Sequence, residues 1–202
     1  EKAMAKHGLT PKAVILDSQW SALDPSIMGL GPVLSASALL KRNGMTLQDV
    51  ETWELNEAFA TQVLGCLAAW ADDKFCREIL GLDGAAGEID RARLNVDGGA
   101  IAVGHPLASS GIRLMNQLAR QFEEDPSVRY GMTAMCIGIG MGGTVIWENP
   151  HYRGTNLDKI CQPVLQTSYR GLVRTASAYG VAAGLDQDDP DATGADPDDT
   201  DA

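Results

Sequence analysis

Three short strings in this sequence combine groups that can give protons, take them, or steady a developing negative charge. Asn56-Glu57-Ala58-Phe59 stands where a strand-like pattern gives way to a helical one. A polar side chain at such a junction points into the crevice beyond the carboxyl end of the strand, with plain N-capping by Asn56 as the alternative. Gly98-Gly99-Ala100-Ile101-Ala102-Val103-Gly104-His105-Pro106 is a glycine-rich loop in which Gly104 and Pro106 aim His105. An imidazole held just ahead of a helix start suits a base and hydrogen-bond donor, although a structural loop histidine fits the string equally well. Cys136-Ile137-Gly138-Ile139-Gly140-Met141-Gly142-Gly143 sets a thiol at a strand end, beside backbone N–H groups that could receive an oxyanion. The alternative there is an inert core cysteine. The glycine run is no dinucleotide loop, because a strand from Thr144 succeeds it where such a site needs a helix.

The elements that must position these groups are set by the apolar pattern. Ala13-Val14-Ile15-Leu16 predicts a strand reaching to about Leu23, and Gly31-Pro32 opens a helix closed by Gly44, with Val33, Ala36, Leu39 and Leu40 as its apolar stripe. Residues 50–55 read as a second strand and 58–70 as a helix with Phe59, Val63, Leu64, Leu67 and Ala68 on one face. Residues 70–94 form a charged insert with one short helix. Ser109 or Ser110 starts a helix to about Glu124, with Ile112, Met115, Leu118, Ala119 and Phe122 facing inward. Residues 132–137 and 144–147 are strands joined by the glycine run and must be antiparallel. Alternating strands and helices mean a layered α/β domain on a mixed sheet.

Composition sets bounds on function. Of 202 residues 45% are hydrophobic and 21% charged, an ordinary globular balance, and no run approaches the ~20 apolar residues of a membrane span. The net charge of −11 comes mostly from eight aspartates between Asp186 and Ala202. Removing them leaves 27 − 8 = 19 acidic against 16 basic residues, so no basic surface favours nucleic acid. Cys66, Cys76, Cys136 and Cys161 lack CxxC pairing and read as reduced cytosolic thiols. They do not stand at zinc-ligand spacing with His7, His105 and His151, so no metal is expected. The opening residues read as the end of a helix closed by Gly8, without an initiator Met, as if continued from a longer chain.

The order Asn56-Glu57-Ala58-Phe59, Gly104-His105-Pro106, Cys136-Ile137-Gly138 resembles the three catalytic blocks of the thiolase superfamily. The likeness extends to Asp24-Pro25, Met28-Gly29, Gly31-Pro32-Val33 and the run from Asn95 to Ala102, and so spans about Leu9 to Asn149. It implies the carboxy-terminal half of a CoA-dependent acyltransferase, in α/β/α layers around a five-stranded mixed sheet. The expected divisions are the end of a preceding helix (1–8), the thiolase carboxy-terminal domain (9–150), an extension of unknown role (151–185) and a disordered acidic tail (186–202).

By the resemblance, the acylated cysteine lies in an amino-terminal half outside this chain. His105 would activate it, and Asn56, through a water, would form one oxyanion hole with the His105 Nε2. Cys136 would be the second acid/base, and the Gly138 N–H would help make a second oxyanion hole, with Ala58 and Phe59 near the substrate. Acyl-CoA and CoA are substrates in this family, with no permanently bound cofactor. The expected partners are the missing half, a second copy in a homodimer or tetramer, or a hydratase/dehydrogenase subunit, and the expected location is the cytoplasm.

Some positions depart from the family pattern. Asp97 stands where Asn is common, Ala108-Ser109-Ser110-Gly111 replaces a glycine-alanine helix start, and Ile139 replaces a common glycine. The insert is similar to that of fatty-acid-oxidation β subunits, which favours degradation of longer acyl chains. Two other readings stay open: a non-thiolytic sterol-carrier-type thiolase-like protein, and a non-catalytic acyl-CoA-binding scaffold subunit.

Overall fold

The structure, a computed structural model, describes residues 2–152, all within one compact unit, Glu1–Val164. The expected extension and acidic tail lie outside the described residues, except for His151 and Tyr152. A short helix α1 (Lys2–His7) ends at Gly8, whose φ of 61° closes it as expected. Strand β1 (Val14–Ala22) leads through a 3₁₀ turn at Pro25–Leu30 into α2 (Gly31–Asn43). Gly44, left-handed, donates its N–H to the carbonyls of Leu40 and Lys41 and stops that helix. Strand β2 (Thr52–Leu55) precedes α3 (Ala60–Ala71) and the insert helix α4 (Asp73–Glu78). A single turn, α5 (Ala100–Val103), stands before α6 (Ser110–Glu124), and β3 (Tyr130–Ile137) and β4 (Met141–Glu148) complete the domain.

The sheet order is β1-β4-β3-β2, with β2 parallel to β3 and the other pairs antiparallel. Because side chains alternate along a strand, Trp53, Leu55, Met132, Ala134 and Ile146 meet α2 and α3 on one face. On the other face Leu118 and Phe122 of α6 pack against Trp147. The larger core is anchored by Trp53 and Trp70, whose rings lie 5.6 Å apart, with the Trp70 indole donating to the Ser37 hydroxyl.

The resemblance implied a five-stranded sheet; the described sheet has four strands, with one isolated bridge beyond β2. Leu94 bridges Trp53 in parallel, and the Asn95 N–H donates to the Trp53 carbonyl at 2.8 Å. The Asn95 carboxamide then accepts from the Leu55 N–H and donates to the Leu55 carbonyl, both at 2.9 Å. A side-chain amide thus takes the place of the next peptide, and φ of 49° at Asn95 turns the chain away before a strand can grow.

Three further expectations are corrected. Asn56 does not cap α3, which begins at Ala60 with Phe59 at the cap position and no side-chain cap. Ile112 faces solvent, while Leu114 and Gln121 are buried in its place. Gly142 and Gly143 belong to β4 rather than to the turn. Gly142 is needed there because a Cβ on it would lie 2.1 Å from the Gly31 carbonyl oxygen, where α2 begins against the strand.

Candidate active site

Parallel strands end at the same edge of a sheet, so β2 and β3 deliver the residues after them to one place. Leu55 pairs with Ala134, and the Asn56 N–H extends the ladder by donating to the Ala134 carbonyl at 2.9 Å. Asn56 is therefore fixed level with Met135, one residue short of Cys136 on the neighbouring strand. Its side chain is fully buried, its Oδ1 has no partner among the described residues, and its Nδ2 lies 3.4 Å from the His105 Nε2.

His105 reaches this position from the loop after α5 and is itself solvent-exposed. Its Nδ1 lies 2.5 Å from the hydroxyl of Ser110, which is buried in the first turn of α6. The Ser110 hydroxyl also faces the Pro106 carbonyl at 3.5 Å. The arrangement that uses every proton has Nδ1–H donate to Ser110 and the hydroxyl donate to Pro106. That leaves the Nε2 lone pair as the acceptor facing the Asn56 Nδ2–H, the tautomer a base requires. In the sequence Ser110 reads only as a cap; no spacing rule distinguishes a helix-start serine that bonds a histidine five residues back.

Cys136 is buried at 7% exposure near the end of β3, on the face of Met132 and Ala134. Burial pushes its thiol above the ordinary range. It therefore stands ready as a proton donor near neutral pH, not as a standing thiolate. Beyond it, Gly138 is exposed and a Cβ there would meet nothing within 4 Å, so the space over this backbone is open. Phe59 is exposed and Ala58 half-buried on the loop after Asn56, with the Ala58 N–H donating to the Gln62 side chain at 3.2 Å.

The other described cysteines are free, buried and unsuited to covalent work. Burial pushes the Cys66 thiol up to about 12, and its sulfur is turned to the Gly29 carbonyl at 3.3 Å. The Cys76 thiol is turned to the carbonyls of Ala69 and Trp70. Cys161 lies outside the described residues. Among the described residues no group of three or more His, Cys, Asp or Glu could hold a metal, and no helix is long and apolar enough to cross a membrane.

Ile139, in the turn between β3 and β4, has φ of 69°, a conformation that costs a β-branched residue about 1–2 kcal/mol. It is 86% exposed, so its side chain contributes little packing. Ile139→Gly gives back about 0.5–1 kcal/mol through freedom of the unfolded chain, for a net gain of about 1 kcal/mol. The expected rise in Tm is roughly 2–4 °C by thermal denaturation. A fall in Tm would mean that the side chain holds the turn.

The chain is similar to known proteins over the residues that build this site. Residues 9–149 match the family model "Thiolase, C-terminal domain". A 3-ketoacyl-CoA thiolase of Yersinia enterocolitica is 43% identical over 141 residues, covering 70% of this chain and 33% of the relative. The peroxisomal 3-ketoacyl-CoA thiolase 1 of Arabidopsis thaliana is 39% identical over 140 residues, covering 69% of this chain and 27% of the relative. A crystal structure of human mitochondrial 3-ketoacyl-CoA thiolase in complex with CoA superposes with a TM-score of 0.60 at 39% identity, over 74% of this chain and 33% of that one. This chain thus spans about a third of the length of the relatives it matches. It belongs to the thiolase family, whose carboxy-terminal domain it carries.

Proposed function

We propose that this chain supplies the carboxy-terminal half of the active site of a 3-ketoacyl-CoA thiolase. The observation that carries the proposal is the 3.4 Å approach of the Asn56 carboxamide to the His105 imidazole, at the sheet edge where Cys136 also ends its strand. The similarity to a thiolase solved with CoA supports acyl-CoA and CoA as substrates.

In thiolysis, His105 Nε2 takes the proton of a cysteine thiol supplied by the amino-terminal half. The thiolate attacks the 3-keto carbon, and the oxyanion that forms there needs donors fixed in advance. The bond between carbons 2 and 3 breaks, leaving an acyl-enzyme and an enolate of acetyl-CoA. Cys136 gives its proton to carbon 2 of that enolate and becomes a thiolate. The incoming CoA thiol then loses its proton to that thiolate and attacks the acyl-enzyme, and the upstream cysteine leaves as a thiolate that takes its proton back from His105. Asn56 with a water and His105 serves one oxyanion, and the Gly138 N–H the other. Claisen condensation is the same path reversed. Ala58 and Phe59 border the substrate. Phe59, Val103, Leu107 and Ile139 are exposed apolar side chains, as contact with the other half would require. A homodimeric or tetrameric assembly, or one with a hydratase/dehydrogenase subunit, and a cytoplasmic location belong to the same proposal.

The test is intact mass after incubation with acetyl-CoA, with and without the upstream half. This chain alone should show no adduct, whereas the reconstituted protein should gain about 42 Da, one acetyl group, on the upstream half. A stoichiometric adduct mapped to Cys136 would reverse the role assignment. No adduct on the reconstituted protein would favour the scaffold reading.

A further inference from the structure

We infer that Glu57 is the positioning residue of this site, its carboxylate tying the α5 loop to the end of β2 and so holding His105 against Asn56. The inference rests on the reading of His105 as the base. Glu57 directly follows Asn56, and both of its oxygens accept: Oε1 from the Asn95 Nδ2 at 3.0 Å, Oε2 from the Ile101 N–H at 3.1 Å. The first bond anchors Glu57 to the carboxamide that pairs with the Leu55 backbone at the end of β2. The second grips the first turn of α5, a favourable place for a carboxylate, only four residues before His105. The loop's two ends are thus held on one strand end, by Asn95 and by Glu57, before Gly104 turns the chain to present the imidazole.

Gly99 supports this independently. Its φ of −108° and ψ of −167° suit any residue, so backbone conformation does not call for glycine. A Cβ at that position would lie 2.2 Å from the Glu57 carboxyl carbon and from one of its oxygens. What excludes a side chain at Gly99 is the seated carboxylate of Glu57.

Glu57→Gln is isosteric but turns one acceptor into a donor, so an N–H must face the N–H of either Asn95 or Ile101. Gly99→Ala displaces the carboxylate from the opposite side and carries the test if Glu57→Gln does not fold. The first measurement is proton NMR of the 202-residue chain. Both variants should lose the through-space contact between the Asn56 side-chain amide and the His105 ring while keeping native dispersion. The second is turnover with the upstream half supplied, where kcat should fall by about 10²-fold, as for a displacement of about 1 Å, with KM nearly unchanged. Persistence of the Asn56–His105 contact in both variants overturns the inference, as does loss of the contact with kcat intact. If the unmutated protein shows no turnover, the proposed activity fails, and the NMR arm still decides what Glu57 holds.

Discussion

Cys136→Ala, in protein reconstituted with its upstream half, is expected to lower kcat by about 10²–10⁴-fold, the usual contribution of a positioned acid or base. The thiol is small and its truncation leaves little cavity, so the fold should survive with a modest loss of stability. KM should change little, because the proton moves in the transition state and not on binding. Since burial holds the thiol protonated, the loss should be marked in thiolysis, where carbon 2 of the departing enolate must be protonated. Cys136→Ser keeps the volume but offers a far weaker acid, and should recover little. The check is steady-state kinetics in both directions with each variant. Turnover within about tenfold of the unmutated protein in the alanine variant would remove Cys136 from the chemistry and return it to the core.

The features legible in the sequence are those that leave a local mark. Gly31-Pro32 and Gly44 delimit α2 because helix ends make specific demands on residue type. Asn56, His105 and Cys136 stand out because each lies where an apolar pattern breaks at a strand end or glycine loop. The side chains that place them leave no such mark. Asn95 and Glu57 act across 38 positions and Ser110 acts on a histidine five residues away, and such bonds have no periodic signature. Gly142 and Gly143 read as turn because glycine ordinarily marks one, whereas here Gly142 allows α2 to touch β4 and Gly143 lies under the Trp20 ring. The pattern on α6 fails for a related reason. Buried Gln121 donates to Glu54 and to Asp97, so part of the face towards the sheet is polar and Ile112 is turned to solvent.

That polar face leads to the other large expected effect, the stability of Glu54→Gln. Glu54 lies on β2 with no exposed surface; its Oε1 accepts from Gln121 at 2.8 Å and its Oε2 has no partner among the described residues. Desolvation pushes its carboxyl from an ordinary 4.5 up to about 7, against the pull of the Gln121 bond and the Arg113 charge, with Asp97 and Glu57 adding repulsion. Asp97, the residue standing where the family commonly has Asn, thus helps keep Glu54 protonated. Because the folded chain binds this proton more tightly than the unfolded one, the stabilising contribution is complete below about 4.5. It declines as pH rises and is gone above about 7. The gap between those values, at about 1.4 kcal/mol per pH unit, sets about 3 kcal/mol as the ceiling. The lowered carboxyls of Asp24, Asp49, Asp97 and Asp125 act in the opposite sense, but only in more acidic solution. Glutamine keeps the shape and the bond from Gln121 but cannot ionise, so the variant should match the unmutated chain at about pH 4 and exceed it at about pH 8 by up to about 3 kcal/mol. Urea denaturation at the two pH values measures both quantities. If the unmutated chain is no less stable at the higher pH than at the lower, or the variant gains nothing at the higher, then Glu54 is ionised at little cost, and Arg113 is the partner that offsets its burial.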